Sequence, residues 1–215
     1  MEIKDALDPH CDLPPDYYER SIKTNPFQRF WHTRRFRDIG RLVEPVAGEI
    51  LDIGCADGTF TKIVADRSGC RKITGIDILE GSVNHAAKKF AKDKRFKFLV
   101  ADAHELPFKN NQFEAVFCLE ALEHIINPQK VLSEIKRVLK PRGYLIILVP
   151  TDNRLFKICW WVVLNTWGKH WRGTHIQSFS RDNGLAEIVR KAGFQVEKDQ
   201  KFLLNMLEAV RARKL

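Results

Sequence analysis

From residue 49 to residue 149 short apolar runs alternate with segments in which apolar residues recur at helical spacing. The runs at 49–53, 72–78, 96–101, 113–119 and 144–149 predict strands, and the stretches at 59–66, 82–90 and 128–139 predict helices. Runs that are apolar on both sides, separated by amphipathic segments, imply an α/β fold whose mostly parallel sheet is covered on both faces. Pro128 suits the first turn of a helix, and Pro141-Arg142-Gly143 is expected to turn the chain into the strand at 144–149.

The flanks read differently. Residues 1–15 form a loose tail interrupted by Asp8-Pro9 and Pro14-Pro15. Residues 16–43 predict helix, divided near Asn25-Pro26, that covers the sheet or lids a site. After Pro150 the rhythm breaks: 155–167 is largely apolar and runs into Gly168-Lys169-His170-Trp171-Arg172-Gly173, as an insertion or lid over about 151–179. Ser180 is expected to cap a helix reaching Ala192, Gly193 to stop it, and 194–198 and 206–213 to close the sheet.

The chemistry-bearing stretch is Leu51-Asp52-Ile53-Gly54-Cys55-Ala56-Asp57-Gly58, where a strand ends in a turn of small residues and a helix opens. A phosphate loop would need a Lys-Ser/Thr pair at its end, and Thr61-Lys62 has the wrong order and place. A dinucleotide loop brings glycines to a pyrophosphate at a helix N-terminus. Two carboxylates, Asp52 and Asp57, are poor neighbours for that anion and suit a cofactor with ammonium and sulfonium groups. The second strand ends in Gly75-Ile76-Asp77, where a carboxylate can accept both hydroxyls of a ribose.

These residues resemble the class I S-adenosylmethionine-dependent methyltransferases, in particular the small-molecule branch that includes quinone-biosynthesis enzymes. The family's acidic-x-Gly-x-Gly-x-Gly turn is matched by Asp52, Gly54, Ala56 and Gly58, with alanine at the middle glycine. The resemblance implies a Rossmann-like seven-stranded mostly parallel sheet, order 3-2-1-4-5-7-6, with helices on both faces and an antiparallel hairpin at one edge. It divides the chain into a helical cover at 1–44 and a methyltransferase domain at 45–215. It also implies S-adenosyl-L-methionine as cofactor, with Asp52, Gly54, Cys55, Ala56 and Gly58 at the turn and Asp77 and Ile78 at the ribose. Asp102 and Ala103 would meet the adenine, Leu119 and Glu120 the amino-acid portion, and Asp52 the ammonium, directly or through water.

Methyl transfer needs an acceptor lone pair aligned with the methyl carbon, and a base only where the acceptor carries a proton. His124, His170 and His175 are the candidates, with His32 behind them. Tyr17, Tyr18, Phe27, Phe30 and Trp31 are expected to wall a hydrophobic acceptor chamber with Phe156, Trp160 and Trp161, or else to pack the helices on the core. The apolar insertion, with Trp160, Trp161, Trp167 and Trp171 and flanking Arg154, Lys157, Lys169 and Arg172, favours a hydrophobic small-molecule or lipid-like acceptor, drawn from an anionic membrane surface. Burial against a partner subunit is the structural alternative.

Net charge is +9 over 215 residues, a basic surface that suits RNA, anionic lipid or an acidic substrate without choosing among them. An RNA methyltransferase is the competing enzyme, and a catalytically silent cofactor-binding interaction protein the competing non-enzyme. Five cysteines without paired ligand spacing predict a reduced cytoplasmic protein with no metal, and peripheral membrane attachment is a further option. The N-terminus lacks a signal-peptide pattern and no apolar run reaches spanning length. Oligomeric state and the choice among O-, N- and C-methylation stay open.

Overall fold

The computed structural model describes residues 14–166, 179 and 184–215. Two helices, α1 (Tyr17–Thr24) and α2 (Pro26–Gly40), precede β1 (Glu49–Ile53), α3 (Thr59–Ser68), β2 (Lys72–Asp77), α4 (Glu80–Lys89), β3 (Phe96–Val100) and β4 (Phe113–Leu119). A 3-10 turn (Leu122–His124), α5 (Pro128–Val138), β5 (Leu139–Pro150), α6 (Arg154–Asn165), α7 (Leu185–Lys191), β6 (Phe194–Phe202) and β7 (Leu207–Lys214) follow. The seven strands form one sheet in the order β3-β2-β1-β4-β5-β7-β6. β1 to β5 are parallel, and β7 lies antiparallel to both β5 and β6.

Side chains alternate along each central strand, and this sends one apolar set to each face. Leu51, Ile53, Val116, Cys118, Leu145, Ile147 and Val149 pack beneath Val131, Leu132 and Ile135 of α5 and Leu185 and Val189 of α7. Ile50, Ala115, Phe117, Tyr144, Ile146 and Leu148 face Val64 and Ala65 of α3 and Ile39 and Leu42 at the end of α2. The helical cover is therefore continuous with the core of the sheet. Tyr144 staples it there: its hydroxyl donates to the Glu44 carbonyl at 2.8 Å and accepts the Glu44 N–H at 3.1 Å.

Local chemistry explains the boundaries. Asn25 Oδ1 accepts the N–H groups of Phe27 and Gln28, so Asn25-Pro26 both ends α1 and starts α2. Asn127-Pro128 repeats the device on α5, with Asn127 Oδ1 accepting from Lys130 N–H. The strand expected to begin after the Pro141-Arg142-Gly143 turn instead begins at Leu139. Arg142 takes φ 64° and the β4 pairing register shifts between Phe113 and Ala115, so those residues form an irregularity inside β5. β6 is longer than the 194–198 segment expected, because main-chain pairing continues through its polar residues, whereas β7 lies within one residue of its expected limits.

The described part of the apolar insertion is helix α6, capped by Asn153 Oδ1 on Phe156 N–H at 2.7 Å. Ser180, proposed to cap the next helix, lies outside the described residues, and that helix begins at Leu185.

Candidate active site

The strand-to-helix turn after β1 has three consecutive left-handed positions at every second residue: Gly54 at φ 75°, Ala56 at φ 44° and Gly58 at φ 74°. A Cβ on Gly54 would collide with the Cβ of Ala121, and one on Gly58 would sit 2.7 Å from the Phe90 ring. Glycine is therefore fixed at both ends by sterics as well as by φ. At the middle position alanine is accommodated with its methyl group in a sparsely populated region. Its N–H donates to Asp77 Oδ2 at 2.9 Å, and Asp77 Oδ1 accepts Leu79 N–H at 3.0 Å. The ends of β1 and β2 are thus joined through one carboxylate.

A cavity of about 590 Å³ opens over the carboxyl ends of β1 to β4. Gly54, Ala56 and Asp57 line it from the first turn, Asp77 and Ile78 from the second, Asp102 and Ala103 from the third, and Glu120 and His124 from the fourth. Pro14, Pro15, Tyr17 and Tyr18 close it from above. A cavity of this size, with carboxylates on two neighbouring strand ends and a glycine cradle beside them, fits a nucleoside-bearing cofactor.

Asp52, Cys55, Gly58 and Leu119 do not line the cavity. Asp52 is buried one layer beneath the turn, where its Oδ2 accepts the Thr61 hydroxyl at 2.6 Å. Burial, opposed by that hydrogen bond and reinforced by the charge of Asp77, pushes its pKa up to about 7. The side chain thus ties β1 to α3 and carries less negative charge than an exposed aspartate. Cys55 is buried, with its N–H donated to the Ile76 carbonyl, and Leu119 packs in the core beneath α3. Asp57 lines the cavity, but its oxygens accept Thr59 N–H at 3.0 Å and Glu19 N–H at 2.8 Å. It therefore closes the turn and holds the first turn of α1 over it.

His104, which the sequence reading passed over, lies in the cavity wall. Asp102 Oδ1 accepts the His104 N–H at 2.8 Å and meets its Nδ1 at 2.7 Å, while Asn127 N–H donates to Nε2 at 3.4 Å. An Nε2 that accepts leaves the ring proton on Nδ1, aimed at the carboxylate. The Asp-x-His spacing is the sequence signal: an aspartate commonly accepts the N–H two residues on.

Next to this cavity is a smaller chamber of about 100 Å³. Tyr17, Tyr18, Glu120 and His124 belong to both walls. α2 contributes Phe27, Trp31, His32 and Arg35, and α6 contributes Phe156, Cys159, Trp160 and Val163 at helical i, i+3, i+4, i+7 spacing. Phe30 and Trp161, expected in this wall, point outward and are 63% and 66% exposed. They occupy the opposite faces of their helices. Arg35 is buried, ion-paired with Glu120, and stacked over the Phe60 ring at 4.0 Å. Burial lowers its pKa to about 9.

Of the three histidines proposed for proton transfer, His124 stands at the junction of the two cavities, with its Nε2 4.0 Å from Glu123 Oε1. His170 and His175 lie outside the described residues. Glu123 and Arg35, which the sequence reading assigned no role in a site, are the chamber's buried ionisable groups beside His32; their helix and turn positions resemble ordinary solvated ones, so pattern alone carried no sign of their burial. Among the described residues no group of acidic, histidine or cysteine side chains is arranged to hold a metal.

Residues 51–147 match the family model described as a methyltransferase domain. The chain is 40% identical over 108 residues to a demethylmenaquinone methyltransferase of Clavibacter sepedonicus, covering 50% of this chain and 43% of that protein. It is 36% identical over 108 residues to a sterol 4-C-methyltransferase of Caenorhabditis elegans, covering 48% and 32%. The chain thus spans less than half the length of these curated relatives. The structure of a geranyl diphosphate methyltransferase in complex with SAM superimposes with a TM-score of 0.71 at 13% identity, over 93% of this chain and 91% of that one, a likeness of fold. The matched segment begins in β1 and ends in β5, enclosing every strand end that lines the larger cavity, and over this segment the chain is similar to class I S-adenosylmethionine-dependent methyltransferases, those of quinone biosynthesis among them.

Proposed function

We propose that the protein transfers a methyl group from S-adenosylmethionine to a hydrophobic small-molecule or lipid-like acceptor held in the chamber between α2 and α6. The observation that carries this reading is the shared wall: Tyr17, Tyr18, Glu120 and His124 face the cofactor cavity on one side and an aromatic chamber on the other. The names of the quinone and sterol relatives support an apolar, ring-bearing acceptor.

When bound, the cofactor supplies an electrophilic methyl carbon on a sulfonium. The chain's own residues bind, orient and exclude water. Asp77, which lines the cavity at the end of β2, would accept the ribose hydroxyls, and Asp102 would meet the adenine beside Ala103. Glu120, fixed by Arg35, would face the amino-acid end. Aromatic walls keep the acceptor dry and aligned, which supplies much of the rate by orientation alone. Where the acceptor is a hydroxyl, His124 stands at the junction to take its proton.

The face of α6 opposite the chamber is also apolar. Leu155, Ile158, Trp161 and Val162 are exposed, as are Phe27 and Phe30 of α2. Such a surface flanking the chamber suits uptake of the acceptor from a membrane, where aromatic side chains partition to the interface. Among the described residues no helix is long and apolar enough to cross one.

The test is incubation with methyl-labelled S-adenosylmethionine and separated membrane-lipid and RNA fractions of a cell extract. Label in extractable lipid supports the reading. Label in RNA alone replaces it with an RNA methyltransferase, and cofactor binding with no labelled acceptor replaces it with a silent interaction protein.

A further inference from the structure

Three polar side chains of the chamber each leave a buried atom without a hydrogen-bond partner among the described residues: both ring nitrogens of His32, Nε of Arg35 and Oε2 of Glu123. All three side chains are more than nine-tenths buried. Buried polar atoms are nearly always paired, because an unpaired one loses its hydration without replacement. Three such residues in the wall of one 100 Å³ chamber mark a place where a ligand's polar group belongs.

The chemistry of the three narrows that group. His32 sits among Tyr18 at 5.5 Å, Phe60 at 5.8 Å and Phe36 at 6.2 Å between ring centroids. Burial, with the charge of Arg35 behind it, holds the imidazole neutral, so it offers one N–H donor and one lone pair. The Arg35 cation is already matched by Glu120. An anionic head would compete with Glu120, and a cationic head would meet Arg35. A neutral group that both donates and accepts, a hydroxyl, fits the imidazole. The walls supplied by Tyr18, Trp31, Phe156 and Trp160 fit a flat apolar ring behind that hydroxyl.

We propose that the chamber selects acceptors bearing a hydroxyl on a flat apolar ring, and that His32 is the residue that reads the hydroxyl. This rests on the chamber being the acceptor site of the methyl-transfer reading. It assigns to the helical cover a role in specificity as well as in enclosure.

The test compares 4-hexylphenol with hexylbenzene, which share ring and tail and differ by the hydroxyl. Binding is followed through tryptophan fluorescence in the full chain saturated with S-adenosylhomocysteine, whose own binding is measured first by calorimetry. Failure of S-adenosylhomocysteine to bind counts against the methyl-transfer reading and the inference resting on it. With the cofactor site filled, 4-hexylphenol is expected to bind about tenfold or more tightly than hexylbenzene. In His32→Leu the ratio should collapse to roughly twofold or less with hexylbenzene binding kept, and His32→Asn, which retains a donor and an acceptor, should restore part of it.

Equal affinities in the unmodified protein, no binding of either probe, or an unchanged ratio in His32→Leu would each overturn the inference while leaving the cofactor result standing. Should His32→Leu fail to fold, the ring-nitrogen resonances of His32 decide the matter in the unmodified protein. They should shift on adding 4-hexylphenol and stay in place with hexylbenzene, and the absence of a phenol-dependent shift overturns it.

Discussion

Arg35 in α2 and Glu120 at the carboxyl end of β4 form an ion pair that joins the helical cover to the strand end beneath it. Glu120 is held at φ 54° by its N–H bond to the Leu148 carbonyl at 2.8 Å. Glu120 lines both cavities and Arg35 the smaller one, so the position of α2 and the shape of both cavities are set together.

Removing the cation alone should therefore be costly. Arg35→Met leaves Glu120 and Glu123 facing an apolar chamber, and a loss of about 3 kcal/mol is expected from an uncompensated buried charge. Urea unfolding measures it. Arg35→Met combined with Glu120→Gln should recover a large part of that loss, and a double variant no more stable than the single one would show that the pair is not the source.

Asp77→Asn tests the proposed ribose site. Asparagine can accept through one oxygen only, so either Ala56 or Leu79 loses its partner and one ribose hydroxyl loses an anionic acceptor. Calorimetric affinity for S-adenosylmethionine should fall by about tenfold to a hundredfold, the range for hydrogen bonds to charged groups. The circular dichroism spectrum should stay unchanged.

The turn predicts opposite outcomes at two small residues. Gly54→Ala drives a methyl group into Ala121 at φ 75°, and cofactor binding should be lost or weakened by more than about tenfold. Ala56→Gly relieves a left-handed alanine while freeing the unfolded chain, so its thermal midpoint should move only slightly. Equal effects at both positions would contradict the steric account.

Stability should decline from mildly acidic to mildly alkaline pH. Burial raises the pKa of Asp52 to about 7 and that of Glu123 to about 8, above the ordinary carboxylate values of an unfolded chain. The folded protein then binds more protons than the unfolded one between roughly pH 4 and pH 8, so unfolding becomes easier as pH rises through that window. The combined loss is on the order of a few kcal/mol, read as the urea midpoint at pH 5 and pH 8.5. Glu123→Gln and Asp52→Asn should each flatten the profile.

The outward aromatic face gives a prediction about membranes. Phe30→Ser with Trp161→Ser removes two exposed rings that lie outside the chamber wall. Sedimentation with anionic vesicles should show at least about a tenfold weaker association, from the apolar area withdrawn. S-adenosylmethionine affinity should stay the same, and undiminished vesicle binding would disconnect this face from lipid.

The sheet and its crevice were legible because their signals are local. Leu51-Asp52-Ile53-Gly54 ends a strand, needs small residues to turn, and opens a helix, while Asp77 and Asp102 follow at the next strand ends. The 113–119 run even matched its strand limits, being apolar at every position but Glu114. Asp52 shows where this reading stops. Its place in the motif was plain, but its burial against Thr61 depends on how α3 packs on β1.

By itself the sequence determined the alternation of strands and helices, the likeness to methyltransferases, and the crevice at the strand ends, since periodicity, turn sterics and motif spacing are properties of neighbouring residues. Tertiary structure decided what surrounds that crevice. His32, Arg35, Glu123 and Phe156 are separated by up to 124 positions in the chain, and no local pattern relates them. They meet in one wall because α2 packs on one face of the sheet and α6 returns beside it. Burial then turns an unremarkable histidine, arginine and glutamate into groups with unmet hydrogen bonds, because a polar atom's needs are set by the water it has lost.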